Sequence, residues 1–238
     1  MMKKLPVEIW SDIACPWCYV GKRRFEAALA GFAHRDEIEV TWRAFELDPS
    51  APRILDASTT LAERLATKYR MPIERAEAMM RSTAETARAD GLDLRFDRVR
   101  GGNTFDGHRV LHLARARGRA DAAKERLMRG YFTDGETIGD PETLVRLATE
   151  AGLDADEVRT MLAGDAYRRE VRAEQAEARA LGISGVPCFV IDRRYGVSGA
   201  QPAETLRAAL TQAWDERPAA AAEADPEAPA CGPDGCAT

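Results

Sequence analysis

The 238-residue chain carries 34 lysine and arginine residues against 39 aspartate and glutamate residues, a formal net charge of -5. Hydrophobic residues make up 45% of the chain and charged residues 31%, a balance typical of soluble globular proteins. The mild acidity argues against nucleic acid or an anionic membrane surface as a partner. The length suits one core domain that carries a large insertion.

The amino terminus begins like a secretory signal but does not continue as one. Pro6, Glu8 and Asp12 interrupt the apolar run that such a signal needs. No later segment is long and apolar enough to span a bilayer. We therefore expect a cytoplasmic protein, in a compartment that disfavours structural disulfides. The five cysteines of the chain are then expected to be catalytic, redox-sensing or metal-binding.

The first elements predict a strand–helix–strand unit. Residues 5–11 alternate enough to form a buried strand, residues 19–30 have helical spacing, and residues 37–45 alternate as a second strand. This order makes the two strands parallel. Trp10 and Trp42 lie in the strands and are interpreted as core residues rather than functional ones.

Strand signals are absent between residues 47 and 181, which predicts a block of helices. Gly152 and Gly182 stand where helix C-termini are expected. The short alternation over residues 92–96 is ambiguous. The predicted helices cover residues 59–69, 72–90, 103–118, 121–132, 141–151, 154–162 and 165–181.

Strand character returns after the helical block. Residues 188–191 and 195–198 predict a hairpin, and residues 201–214 predict a last helix. The order β-α-β, helices, β-β-α predicts an α/β fold in which one small mixed sheet is interrupted by an insertion. The expected units are the first half of the sheet domain, the helical insertion, the second half and a flexible tail, over residues 1–46, 47–181, 182–217 and 218–238.

Cys15 and Cys18 stand between the first strand and the first helix, with two residues between them. The free N–H groups and the dipole of a helix N-terminus stabilise a thiolate. Cys15 is therefore expected to attack and to leave, and Cys18, one helical turn further on, to resolve the mixed disulfide. Pro16 suits the first turn of a helix. Trp17 is expected to be exposed, as an apolar contact for an unfolded substrate.

Val186 and Pro187 immediately precede the third predicted strand. A proline at that place often does no more than begin a strand at the edge of a sheet. Thioredoxin-like proteins instead place a cis-proline there, opposite the dithiol, so that the residue before it offers its backbone to an extended substrate. The dithiol and the order of the elements favour this second interpretation.

Together these segments resemble the DsbA-like oxidoreductases of the FrnE type, relatives of kappa-class glutathione transferases and 2-hydroxychromene-2-carboxylate isomerase. The resemblance implies a thioredoxin-like fold with a helical domain inserted over the active site. By position it implies that Cys15 is the nucleophile, Cys18 the resolving thiol and Pro187 the cis-proline. The glutathione-using relatives have serine in place of Cys15, so the cysteine favours disulfide exchange. The segments that carry the resemblance are residues 11–21, 42–47, 103–109, 184–187 and 195–201.

Two further residues have open roles. Cys188 is either a small buried strand residue or a third redox-active sulfur near the dithiol. The residue after the cis-proline is usually apolar in such proteins. His108 either faces the cleft, where it touches substrate or tunes the thiols, or lies on a helix surface.

Residues 218–230 are rich in Ala, Pro, Glu and Asp, a composition typical of a disordered linker, and Cys231 and Cys236 follow this segment. The two cysteines are either a nonfunctional oxidisable pair or a second redox pair that exchanges electrons with Cys15 and Cys18. From Arg217 to Cys231 the chain runs 231 − 217 = 14 residues, which as a flexible coil spans roughly 20 Å. With the first dithiol they would also complete a zinc site.

The sequence therefore predicts a thiol–disulfide oxidoreductase or isomerase that acts on protein thiols and disulfides. It needs no metal and no cofactor beyond its own dithiol, with glutathione or a thioredoxin-type protein as the candidate reductant. A glutathione-dependent isomerase or transferase and a thiol-based metal or redox sensor are the alternatives.

Overall fold

The computed structural model describes residues 4–55 and 58–217. Four strands form one mixed sheet in the order β2-β1-β3-β4. The first strand, β1 (Leu5–Ser11), pairs in parallel with β2 (Ile38–Ala44) and antiparallel with β3 (Cys188–Ile191). The hairpin of β3 and β4 (Tyr195–Ser198) completes the sheet. The mixed α/β fold and the parallel β1–β2 pair are confirmed.

Nine α-helices surround the sheet in the described part of the chain. Helix α1 (Pro16–Ala30) connects β1 to β2, and α9 (Ala203–Asp215) follows β4. Seven helices lie between β2 and β3, where the sequence predicted seven. They are α2 (Leu61–Tyr69), α3 (Ile73–Ala89), α4 (Phe105–Ala116), α5 (Ala120–Arg129), α6 (Pro141–Glu150), α7 (Ala155–Ala163) and α8 (Arg168–Ala180).

Two local details of the helical block depart from regular α-helix. The ambiguous residues 92–96 form no strand: residues 92–95 are irregular and a turn begins at Phe96, although Leu92 and Leu94 are buried in the core of the helical block. The helix predicted over residues 121–132 ends at Arg129 and continues as a π-helical turn, Gly130–Asp134. Gly152 and Gly182 have positive φ angles of 91° and 72° directly after α6 and α8, as helix C-termini require.

The chain has two main apolar cores. One lies between the sheet and helices α1 and α9, and includes Phe25, Phe189 and Leu210. The other fills the helical block and reaches α1 through Cys18 and Tyr19. The first turns of α1 therefore contribute to the core of the helical block and its later turns to the core beneath the sheet, and the N-terminus of α1 lies where the sheet and the helical block meet. Within the described residues, no helix is long and apolar enough to cross a membrane.

Candidate active site

The dithiol lies at the N-terminus of α1, where sequence reasoning put it. Cys15 is the N-cap residue and Pro16 the first helical residue. Both thiols are free and buried, Cys15 with 4% and Cys18 with 1% of its surface exposed. Cys15 thus remains at the edge of the site, whereas Cys18 is enclosed.

The peptide bond between Val186 and Pro187 is cis, as predicted. The carbonyl oxygen of Val186 accepts a hydrogen bond from Cys15 Sγ at 3.5 Å. The structure therefore brings Cys15 and the loop before β3 into contact across 171 positions of the sequence. An extended substrate that pairs with the backbone of Val186 would lie beside the Cys15 sulfur.

A cavity of about 430 Å³ opens beside the dithiol. Cys15, Trp17 and Val186 form one wall, and residues of α2 and α3 form the opposite wall. Trp17 is exposed over 41% of its surface, as the sequence predicted. The wall provided by the helical block is largely apolar, with Leu55, Leu61, Leu65, Met79, Met80, Phe96 and Phe132.

The cavity also carries charge. Asp12 lies at the dithiol end, and Arg64 and Lys68 reach it from α2. The guanidinium nitrogen Nη2 of Arg64 is buried and has no hydrogen-bond partner among the described residues. Such an unpartnered donor is costly unless a ligand or water accepts from it. The cavity is therefore apolar with a cationic side.

Asp12 is a buried carboxylate that sequence reasoning did not single out. Its Oδ2 accepts a hydrogen bond from Leu47 N at 2.7 Å, and its Oδ1 lies 3.4 Å from His108 Nε2. Burial opposes ionisation, but the contact with His108 and the hydrogen bonds from Leu47 and Thr104 hold the pKa of Asp12 below its usual value. The carboxylate is thus charged and adds a negative field near Cys15.

His108 does not occupy either of its expected positions. It is 1% exposed, so the helix-surface interpretation is wrong, and it does not line the cavity. It lies behind Asp12, whose orientation it fixes. Any influence of His108 on the thiols therefore passes through the Asp12 carboxylate.

The electrostatics of the two thiols differ from the simple helix-dipole expectation. The pKa of Cys15 is raised, because Cys15 shares a hydrogen bond with Cys18 and because it is buried. For Cys18, burial opposes ionisation, but the hydrogen bond from Cys15, the charge of Lys124 and the Ser11 hydroxyl lower the pKa below that of a free thiol. The hydrogen bond from Cys15 and the charge of Lys124 therefore favour Cys18 over Cys15 as the first sulfur of the reduced pair to ionise.

Cys188 lies apart from this pair. It is 8% exposed and packs in a small cluster with Trp10 and Ala178, whereas the dithiol belongs to the core of the helical block. Burial raises the pKa of the Cys188 thiol. These surroundings favour the interpretation as a strand residue. Trp10 is fully buried, in agreement with its assignment to the core.

In residues 4–55 and 58–217, no group of three or more His, Cys, Asp or Glu side chains could hold a metal ion. The zinc-site alternative and the second redox pair depend on Cys231 and Cys236. Both cysteines, like the whole tail predicted over residues 218–238, lie outside the described residues.

Comparison with known proteins agrees with this architecture. Residues 6–211 match the model of the DSBA-like thioredoxin domain, so the chain belongs to that family. A crystal structure of a probable DsbA oxidoreductase from Streptomyces coelicolor, SCO1869, is 52% identical with a TM-score of 0.85, covering 98% of this chain and 99% of that one. The protein YwbO of Bacillus subtilis strain 168 is 27% identical over 187 residues, 78% of this chain and 86% of the relative.

A more distant structure shares the fold. The cytosolic disulfide reductase DsbM from Pseudomonas aeruginosa is 18% identical with a TM-score of 0.63, covering 89% of this chain and 99% of that one. The chain thus has the fold of DsbA-like thiol oxidoreductases.

Proposed function

We propose that this protein is a thiol–disulfide oxidoreductase that exchanges disulfides in protein substrates through Cys15 and Cys18. The observation that carries the proposal is the contact between Cys15 Sγ and the carbonyl oxygen of Val186, beside a cis-proline and at the mouth of an apolar cavity. The exposed Trp17 extends that apolar surface toward an unfolded chain. Metal chemistry plays no part in this mechanism.

The first step falls to Cys15, because Cys15 lines the cavity and Cys18 does not. Movement of the shared proton to Cys18 places the negative charge on Cys15. The Cys15 thiolate attacks one sulfur of the substrate disulfide, a mixed disulfide forms, and the other substrate sulfur leaves as a thiolate with the electron pair of the broken bond. The substrate backbone is aligned along Val186.

In the second step, Cys18 gives the proton that it holds to the departed substrate thiolate, and the resulting Cys18 thiolate attacks the Cys15 sulfur of the mixed disulfide. The Cys15–Cys18 disulfide forms, the bond to the substrate breaks, and the second substrate thiolate leaves and takes a proton from solvent. The substrate has gained two electrons and the dithiol has lost two. In a reducing cytoplasm, reductase or isomerase work is favoured over net oxidation.

Reduction of insulin and reactivation of scrambled ribonuclease test this proposal. Cys15→Ser should abolish both activities. Cys18→Ser should trap mixed disulfides at Cys15, which gel electrophoresis without a reducing agent detects. Cys188, which packs in a different apolar cluster from the dithiol, offers a matched control, since Cys188→Ser should trap nothing. Unchanged insulin reduction by Cys15→Ser would refute the assignment.

A second candidate is exchange with glutathione, either as the reductant of the dithiol or as a cosubstrate in isomerase or transferase chemistry. The cationic side of the cavity, with Arg64 and Lys68, suits the carboxylates of a small acidic thiol. Cys15 in place of serine argues for the reductant role. Tight glutathione binding with turnover of an electrophile or a chromene would instead support the cosubstrate role, and a thioredoxin-type protein is the other reductant to be tested.

A coupled role for Cys231 and Cys236 completes the proposal. Trapping with single-cysteine variants should yield a mixed disulfide between the tail and Cys15. If none forms in any combination, the tail does not exchange electrons with the dithiol. Stoichiometric zinc in protein purified without chelator would favour the sensor alternative.

A further inference from the structure

Two of the five lysines in the chain are buried in the described structure, and they have opposite surroundings. Lys22 of α1 is 2% exposed and makes ion pairs with three carboxylates, those of Glu26, Asp121 and Glu125. Lys124 of α5 is fully buried, and its Nζ has no hydrogen-bond partner among the described residues. The aromatic ring of Trp42 faces this ammonium, with its centroid 5.4 Å from Nζ.

An unpaired ammonium inside a protein costs several kcal/mol, which a single aromatic ring offsets only in part. An anion is therefore expected close to the Lys124 ammonium. None of the carboxylates of the described chain forms an ion pair with Lys124. Asp121 and Glu125, its neighbours on α5, are engaged with α1 instead.

The docking of α5 on α1 brings Lys124 within the electrostatic reach of the dithiol. Tyr19 donates a hydrogen bond of 2.6 Å to Glu125, and Arg23 donates one of 2.9 Å to the same carboxylate. These contacts hold α5 against the first turns of α1, where Cys18 lies. The groups whose charges act on Lys124 are Cys15, Cys18 and Lys22 of α1 and Asp12 of the preceding loop.

A second buried donor lies at the same place. The hydroxyl Oγ of Ser11, at the end of β1, is buried without a partner that meets hydrogen-bond geometry, yet it is close enough to Cys18 to favour the thiolate. Ser11 and Lys124 reach Cys18 from the sheet and from the helical block, respectively. Both groups are buried donors that lack an acceptor among the described residues, and a thiolate at Cys18 would be the anion that they share.

We propose that Lys124 is the counter-ion of the Cys18 thiolate, a positioning residue that the helical block supplies to the dithiol. In the reduced enzyme, Lys124 stabilises the thiolate that the pair carries. In the mixed disulfide, Cys15 no longer has a proton to share with Cys18. Lys124 and Ser11 are then the groups that favour release of the proton from Cys18 and stabilise its thiolate for the attack on the Cys15 sulfur.

The same pairing links the protonation of Lys124 to the redox state. Burial lowers the pKa of Lys124 to about 8, and the nearby thiols and Asp12 act against this effect. When Cys18 enters the disulfide, its negative charge disappears and the ammonium loses its partner. The pKa of Lys124 then falls further, and its proton passes to solvent. Reduction of the disulfide by two electrons restores the Cys18 thiolate, and one proton returns to Lys124 while a second one protonates Cys15.

This inference deepens the proposed function and rests on it, but its test needs no substrate. The full chain with Cys188→Ala, Cys231→Ser and Cys236→Ser leaves the dithiol as the only source of thiolate absorbance near 240 nm. In this background, Lys124→Met should raise the first thiol pKa by about one unit or more, so that the midpoint of the absorbance titration moves to higher pH by that amount. At a pH above both midpoints, equilibration with glutathione should shift about tenfold toward the disulfide for each unit of that rise.

Lys22→Met is the matched control, since it removes a buried lysine of the same helix pair that already has carboxylate partners. At each pH, the ratio of thiolate to thiol in Lys22→Met should stay within twofold of the ratio in the parent protein. Equal shifts in the two variants, or no shift in Lys124→Met, would overturn the proposal. Loss of insulin reduction by Cys15→Ser is independent of either result, so the two proposals fail separately.

A measurement on the unsubstituted protein covers the case in which Lys124→Met does not fold. Lysine labelled with ¹³C at Cε gives five signals, one for each lysine. The Lys124 signal should titrate at a lower pH in the oxidised protein than in the reduced protein, and the Lys22 signal should not differ. The same midpoint for Lys124 in both redox states would overturn the proposal.

Discussion

The α-carbon of Gly21 lies directly against the ring of Pro187. A methyl group built on Gly21 would stand 2.8 Å from Cγ of Pro187 and 3.4 Å from its Cβ. Gly21 lies in the interior of α1, where glycine normally destabilises a helix relative to alanine. The absence of a side chain therefore serves the close approach of the cis-proline loop to the helix that carries the dithiol.

Gly21→Ala is expected to impair activity despite the gain in helix propensity of about 1 kcal/mol. The added methyl group displaces Pro187 and with it the carbonyl of Val186 that contacts Cys15. We expect kcat/KM for insulin reduction to fall about tenfold while the helix content stays the same. Gly185→Ala is the control, because a methyl group there meets no atom within 4 Å. Equal activities of the two variants would contradict the role of this contact.

The parts of the site that follow from local pattern could be predicted from the sequence. β1, β3 and β4 have the bounds that alternation and hairpin length indicated, and the dithiol and Pro187 are local motifs at their ends. The observed helix bounds differ from the predicted ones by up to three residues. Helix ends depend on capping contacts, such as the hydrogen bond from Glu157 N to the side chain of Asp154, which local spacing does not specify.

The surroundings of the dithiol could not be predicted in this way. Lys124 follows Asp121 by three positions and directly precedes Glu125, a pattern typical of a solvated helix face with i,i+3 charge pairs. Only the docking of α5 on α1 turns this face inward. The contact of His108 with Asp12 likewise joins residues 96 positions apart. Such contacts depend on helix packing, which a single sequence does not determine.

Glu174 of α8 ties the helical block to the sheet. Its carboxylate is 4% exposed and accepts hydrogen bonds from Ala44 N of β2 at 2.7 Å and from Arg43 Nη1 at 3.0 Å, and it lies 3.1 Å from His112 Nε2 of α4. Burial opposes ionisation, but these partners lower its pKa to about 2. Relative to an ordinary glutamate, this pKa corresponds to about 3 kcal/mol of stability.

Because the folded-state pKa of Glu174 is depressed, this stability is fully present above the ordinary pKa of about 4.3 and is lost as the pH falls toward 2. Glu174→Gln should therefore lower the free energy of unfolding by about 3 kcal/mol at pH 7 and by much less at pH 2.5. Urea unfolding at both pH values measures this difference. Glu170→Gln, an exposed change on the same helix, should cost less than about 1 kcal/mol. A pH-independent difference would contradict the argument.

Asp12→Asn tests the negative field beside Cys15. The asparagine oxygen can still accept from Leu47 N, but the charge that raises the pKa of Cys15 is removed. We expect the ascending limb of kcat/KM against pH to move to lower pH by about one unit. Asp48→Asn, an exposed change on the same cavity, should leave the limb in place because water screens that charge. A shift of the ascending limb of kcat/KM to higher pH, or an equal shift in both variants, would rule out this electrostatic role of Asp12.

Cys188→Ala separates the two interpretations of the third described cysteine. Because Cys188 packs against Trp10 and Ala178 and its pKa is raised by burial, its loss should remove packing and no chemistry. We expect insulin reduction within twofold of the parent protein and a free energy of unfolding lower by about 1 kcal/mol. Cys188→Ser should be less stable than Cys188→Ala, since it buries a hydroxyl in an apolar cluster. A several-fold loss of activity in Cys188→Ala with unchanged stability would instead identify Cys188 as a third redox sulfur.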